Sequence, residues 1–435
     1  MGDRGIANMS IVPTAASTDL PRPALQQVCL TLGAVACLGV LWWRIVYHPL
    51  TSRDFFALFF SLQHIAIAAV LGACVTRLPL RTAKLLLSLA GAVVMTGLWG
   101  GGLLVCYLVQ TLAVYAAVML TRRGSAARQA FFVGLMLAAG LLACWWLRAT
   151  VTAVIGVWVW LFFRCISFAV EARRGCPASL LDYVAYMFFY PTVLGTVEVY
   201  DEFQRANLMQ PRLPQYVHAA LRFALGFIRV TVAVKITYSF NDVVQVESFL
   251  AGWGVVVIVY LKTVLFVTGC FDSMVGVAHL YGYQIRENFP GVLLASSPRE
   301  WWRTWRATMT HWLIRYVYVP LGGNRHAQVR NIAAVFAVSM LWHWVGVPFG
   351  GGTHFYPAYV PVLTWAVLNT LVMSVSAIVT QRWPAASDAP ISVREFKMLL
   401  TTVFGCATVM LLAYTPQTAP RFAENMRVLT SFLGW

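Results

Sequence analysis

His343 closes an apolar run, 331–341, in the sequence Trp342-His343-Trp344. Imidazole can take and return a proton near neutral pH. An ionisable side chain set this deep in an apolar stretch costs free energy and marks a candidate site. Upstream stands a cationic aromatic segment, Trp301-Trp302-Arg303-Thr304-Trp305-Arg306, followed by His311 to Gly323. Its arginines could attract a phosphorylated donor, or they could anchor a helix at headgroup level beside its tryptophans. Asp272 is a lone acid in the apolar stretch 268–276, open either to pairing with a cation or to lining a polar substrate path. A general base beside a cationic, anion-attracting helix is the chemistry these residues suggest. Residue pattern alone equally allows His343 to be a packing histidine between two tryptophans.

The elements that position them belong to a membrane chain. Of 435 residues, 60% are hydrophobic and 11% charged, against about 25% charged in ordinary soluble domains. Uncharged runs at 23–43, 55–76, 85–121, 129–147, 331–381 and 398–420 are long enough to cross a bilayer. With shorter runs added, roughly 20 residues per span gives about 10 to 12 helices. Backbone groups in lipid must bond internally, so the expected fold class is all-α and polytopic, with re-entrant or interfacial helices. Gly100-Gly101-Gly102 should break the run 85–121 in two. The interval 222–241, interrupted by Arg222, Arg229 and Lys235, reads as an in-plane or re-entrant amphipathic helix. Ser297-Pro298-Arg299-Glu300 reads as a helix start, with Ser as cap, Pro in the first turn and Glu three residues on. A helix running on from there would place Trp302, Trp305 and Met309 on one face and Arg299, Arg303 and Arg306 on a neighbouring one. Arg164, Ser167, Phe168 and Glu171 likewise share a face. Residues 1–27 read as a flexible tail, 28–150 as N-terminal spans, 151–350 as the functional core and 351–435 as C-terminal spans.

The net charge of +16 would suggest nucleic acid in a soluble protein. Here the cations lie between apolar runs, as orientation signals and contacts to anionic membrane lipids require. No nucleic-acid partner is expected. The nine cysteines show neither a disulfide framework nor zinc spacing, and no metal site is expected. His64 reads as a packing histidine.

The ordered blocks Arg164-Cys165-Ile166-Ser167-Phe168, Asp182-Tyr183-Val184-Ala185-Tyr186, Phe271-Asp272, Glu287-Asn288-Phe289, Trp301 to Trp305, Tyr316 to Gly323 and Leu341-Trp342-His343 resemble the motifs of the membrane-bound O-acyltransferase (MBOAT) family. Arg315 to Gly323 is worded most like the Hedgehog acyltransferase and glycerol-uptake-protein branch. The resemblance implies the MBOAT fold and transfer of a long-chain acyl group from acyl-CoA to a hydroxyl or amine. The acceptor would be a lipid, lipid anchor, sugar or protein. No cofactor is implied beyond acyl-CoA as co-substrate. It implies His343 as catalytic general base and Arg306 at a second catalytic position. Substrate contacts would come from Trp302, Arg303, Trp305, Asp272, Asn288, Tyr316 and Trp342. The implied location is the endoplasmic reticulum membrane in a eukaryote or the inner membrane in a bacterium. Two departures stand out: Arg306 replaces the family's His, and Trp344 replaces the Gly after the catalytic His. Arginine stays protonated, so Arg306 can act only through charge. A catalytically inactive relative and a transporter are the alternatives; no inverted repeat supports the second.

Overall fold

A computed structural model of the protein describes residues 24–47, 58–146, 160–193, 196–206, 213–240, 249–345, 355–382 and 391–412. Every regular element among them is helical. The N-terminal block is α1 (Ala24–Tyr47), α2 (Leu62–Val75), α3 (Leu80–Thr121) and α4 (Ala126–Trp146). Gly100 has φ 79° and ψ 164°, which breaks α3 into two helices as its triple glycine suggests. Only Gly adopts such backbone angles without a Cβ penalty.

A central group of short helices follows: α5 (Trp160–Arg173), α6 (Leu180–Met187), a 3-10 turn at Tyr190–Thr192 and α7 (Tyr200–Arg205). A long hairpin, α8 (Leu213–Phe240) and α9 (Phe249–Leu280), leads to α10 (Pro298–Thr304), α11 (Ala307–Leu313) and a π-helical turn at Ile314–Tyr318. The chain then runs through α12 (Gln328–Val345), α13 (Phe355–Arg382) and α14 (Ile391–Leu412). Six helices among the described residues are long and apolar enough to cross a membrane: α1, α3, α4, α8, α9 and α13. The protein is therefore a multi-pass, all-α integral membrane protein. Shorter apolar helical stretches at Leu62–Val75 and Gln328–Leu341 add to these six among the described residues, and the 42-residue α3 is itself broken at Gly100.

Two local expectations change. The interval around Arg222 is part of the longer helix α8, whose residues Gln215–Ile236 are long and apolar enough to cross a membrane. Its arginines need no headgroups because Arg222 Nη1 reaches Asp272 Oδ1 of α9 at 2.7 Å and Arg229 Nη1 bonds Asp272 Oδ2. The helices come this close through glycine: a Cβ on Gly226 would lie 2.7 Å from Gly269 O, and one on Gly269 would lie 2.8 Å from Gly226 O. Small residues permit such approach between membrane helices.

The helix starting at Pro298 is also not continuous. Ser297 caps it by accepting from Glu300 N at 3.2 Å, as read from the sequence, but it ends at Thr304. Arg306 sits in the left-handed region at φ 45° and ψ 54°, and α11 starts afresh. Met309 therefore enters a different apolar cluster from Trp305, while Trp302 packs against the cluster of Trp305 and against a third one.

The main core gathers aromatic rings from α3, α5, α6, α7 and the end of α9. Phe168 lies 4.0 Å from Tyr183 between centroids, and Phe203 stacks on Tyr283 at 4.9 Å. His64 packs there as expected, with Nε2 3.1 Å from Tyr190 Oη and its ring edge-on to Phe59.

Candidate active site

His343 stands on the last turn of α12. Its Nδ1 is 2.7 Å from Ser339 O, one turn earlier. A carbonyl oxygen only accepts, so Nδ1 carries the proton and Nε2 holds the lone pair. That is the tautomer a general base requires. The imidazole lies 5.2 Å from the Trp365 ring of α13, tilted by 58°. Trp365 in turn contacts Trp302 of α10 at 5.9 Å and Phe336 of α12 at 5.8 Å. Trp302 Nε1 donates to Asn369 Oδ1 at 3.2 Å, which also accepts from Thr408 Oγ1 of α14 at 3.4 Å. Rings from α10, α12 and α13 thus cluster about Trp365, which meets the imidazole, and α14 joins them through Asn369.

Arg306 approaches the same imidazole closely enough to act on it electrostatically. Among the described residues it pairs with no carboxylate. Its left-handed backbone is supported from the loop before α10: Asn288 O accepts from Ala307 N at 2.8 Å, and Asn288 Oδ1 accepts from Thr308 N at 3.2 Å and Thr308 Oγ1 at 2.8 Å. The side chain of Asn288 thereby caps the first turn of α11.

The remaining candidates divide. Asp272 is clamped between Arg222 and Arg229, and Arg222 also bonds Glu287. Asp272 and Asn288 line a cavity of about 300 Å³ together with Arg222, Arg229, Glu287 and Phe289. Of the two readings left open for Asp272, the structure displays the ion pair. Tyr316 Oη donates to Glu171 Oε1 at 2.7 Å and lies 3.0 Å from Ser167 Oγ, within a separate ionic network of Glu171, Asp201, Glu202, Arg315 and His311. In that network burial pushes Glu202 upward, but His311 at 2.8 Å, with Arg286 and Arg315, holds it down to about 2. Trp305 stacks on Trp301 at 5.0 Å and 11°, edge-on to Phe289. Arg303 is exposed, and the side chain of Trp342 lies outside the described residues. His343 and Trp302 therefore both pack against Trp365, and Asn288 supports the backbone at Arg306, while Asp272, Tyr316 and Trp305 are engaged elsewhere. Sequence reasoning missed Trp365 and Asn369. Their signal was a Trp and an Asn four apart, hence on one helix face, inside the uncharged run 331–381.

Residues 141–349 match the model of the MBOAT, membrane-bound O-acyltransferase family. The chain is 26% identical over 241 residues to the Probable alginate O-acetylase AlgI of Pseudomonas syringae pv. tomato, covering 48% of this chain and 46% of that protein. It is 24% identical over 210 residues to the Peptidoglycan O-acetyltransferase of Helicobacter pylori, covering 46% of this chain and 37% of the relative. With the Membrane-bound O-acyltransferase GUP1 of Saccharomyces cerevisiae it shares 24% identity over 178 residues, 38% of this chain and 31% of that protein. The chain thus spans less than half the length of these relatives. The matched segment runs from the end of α4 through α12, includes both His343 and Arg306, and carries the membrane-bound O-acyltransferase family domain.

Proposed function

We propose that the protein transfers an acyl group from an acyl-CoA thioester to a hydroxyl group, with His343 as general base. The observation that carries this reading is the 2.7 Å contact of His343 Nδ1 with Ser339 O, which calls for the proton on Nδ1 and so leaves the lone pair on Nε2. Nε2 takes the acceptor's hydroxyl proton as that oxygen bonds to the thioester carbon. The carbonyl π pair moves to oxygen, where Arg306 opposes the developing negative charge. The pair then returns, the C–S bond breaks, and the proton on Nε2 passes to the departing thiolate, leaving the ester, free thiol and neutral His343. Trp302 lines the acyl path, and exposed Arg303 offers a cation to the donor's phosphates. Alginate and peptidoglycan, named for the relatives, are glycans, so a glycan hydroxyl is the proposed acceptor.

The test is thiol release from acetyl-CoA and from palmitoyl-CoA by the purified protein in detergent, with alginate or peptidoglycan fragments as acceptors. Wild type should release thiol with at least one donor. His343→Ala should lose about 10²–10⁴ in rate, the usual contribution of a general base, while inserting normally. Near-wild-type turnover by the variant removes His343 from catalysis. No thiol release by wild type with either donor removes the acyltransferase reading.

A further inference from the structure

Trp365 lies in α13, beyond the segment matched to the family at 141–349. Its indole is 1% exposed and in contact with His343. Its Nε1–H is buried and meets no acceptor among the described residues. Other buried tryptophans of the core satisfy theirs: Trp301 Nε1 donates to Tyr260 Oη at 3.0 Å and Trp312 Nε1 to Phe163 O at 3.1 Å. Trp160 Nε1 shares the defect, but its ring packs with Phe163 and Val197 in a cluster separate from Trp365. Asn369, one turn along α13, is engaged with other groups. Its Oδ1 accepts from Trp302 and Thr408, and its Nδ2 donates to Trp365 O at 2.8 Å. A buried donor left without a partner is disfavoured, more so in a membrane chain where water cannot substitute. Beside the proposed base, the missing acceptor has an obvious chemical identity: a carbonyl oxygen of the substrate.

We infer that Trp365 donates its Nε1–H to the acyl carbonyl oxygen during transfer, as a second stabilising group beside Arg306. The inference rests on the acyltransferase reading above. When the acceptor oxygen bonds to the carbonyl carbon, the π pair settles on the carbonyl oxygen and the indole hydrogen bond strengthens. When the pair returns and C–S breaks, the bond weakens again. Trp365 gains and loses no covalent bond, and its proton stays on nitrogen. An indole suits this position because it is a donor only and keeps its proton, so it cannot compete with His343 for the acceptor's hydrogen.

Trp365→Phe keeps an aromatic ring and deletes the N–H, whereas Trp365→Leu removes the ring as well. Purified full-length variants are compared with wild type on the acyl-CoA that wild type turns over, for kcat, KM and thermal melting in detergent. Trp365→Phe should lower kcat about 10²–10³-fold, the usual effect of removing one oxyanion donor, with KM unchanged. Its melting temperature should equal or exceed that of wild type, because an unsatisfied donor has been removed. Trp365→Leu should lower both kcat and melting temperature. Binding of the thioether analogue of the same acyl-CoA, which lacks the carbonyl, should be equal for wild type and Trp365→Phe. Wild-type kcat in Trp365→Phe overturns this inference alone. So does a kcat loss that merely follows melting temperature across the two variants. Absence of turnover by wild type overturns the acyltransferase reading and this inference with it.

Discussion

Replacing Asp272 with Asn keeps the side chain's shape and removes its charge. The Asp272 side chain is 5% exposed and meets two guanidinium groups, Arg222 from one turn of α8 and Arg229 from two turns on. Breaking a buried ion pair by removing one partner costs about 3–5 kcal/mol, because the other charge stays behind in a poor solvent. Two features pull the value toward the lower end: Arg222 keeps Glu287, and the Arg229 side chain is 38% exposed. Asp272→Asn should therefore lose about 3 kcal/mol, measured as the shift in unfolding free energy on titration of the detergent-solubilised protein with SDS. The triple variant Arg222→Leu, Arg229→Leu, Asp272→Leu removes all three charges at once. Its stability should match or exceed wild type, since apolar replacement of a whole buried network is often neutral or stabilising. Glu287, 44% exposed, is left where water reaches it. Acyl transfer by the triple variant then separates two roles. Retained turnover makes the cluster a structural clamp between α8 and α9, whereas lost turnover in a stable protein makes Asp272 a substrate contact. Wild-type stability in Asp272→Asn would refute the electrostatic reasoning.

Arg306 should act through charge: Arg306→Lys keeps partial turnover, Arg306→Ala loses most of it, and Arg306→His is at least as active as the Ala variant, all assayed at matched protein levels. Because residue 306 has φ 45°, Arg306→Gly should be more stable than Arg306→Ala by about 1 kcal/mol, the scale of left-handed strain in a residue with a Cβ. Asn288→Ala removes the cap of α11 and should cost about 1–2 kcal/mol in the same SDS titration. Glu198, in the loop before α7, is 5% exposed, and burial pushes its carboxyl from 4.5 up to about 7. The folded state then holds a proton that the unfolded chain has released. The corresponding stability is complete below the unfolded value and declines as pH rises through 7. Glu198→Gln should flatten that slope in melts taken from pH 5 to 8, and an unchanged slope would show that Glu198 is not its source.

Hydropathy and period alone established several things about this chain. Long uncharged runs require internal backbone bonding, so helices and a membrane location followed directly. Ser297, Pro298 and Glu300 announced a helix start, and the triple glycine at 100–102 announced a break, because capping and positive φ are local properties. The deep His343 and the ordered blocks around it pointed to the family. Tertiary structure decided which polar groups meet. Asp272 lies 50 residues from Arg222 and 43 from Arg229, and only the Gly226–Gly269 approach of α8 and α9 converts apparent interfacial cations into a buried clamp. Tyr316 reaches Glu171 across 145 residues, which ties it to a structural network instead of to His343. The left-handed turn at Arg306 splits a seemingly continuous amphipathic helix and sends Met309 to a different cluster from Trp302 and Trp305, a reversal that the local pattern around it did not announce. Trp365 becomes the neighbour of His343 only when α13 packs against α12. Sequence period states which residues share a face of one helix, whereas the identity of the opposing face depends on how helices far apart in the chain come to pack.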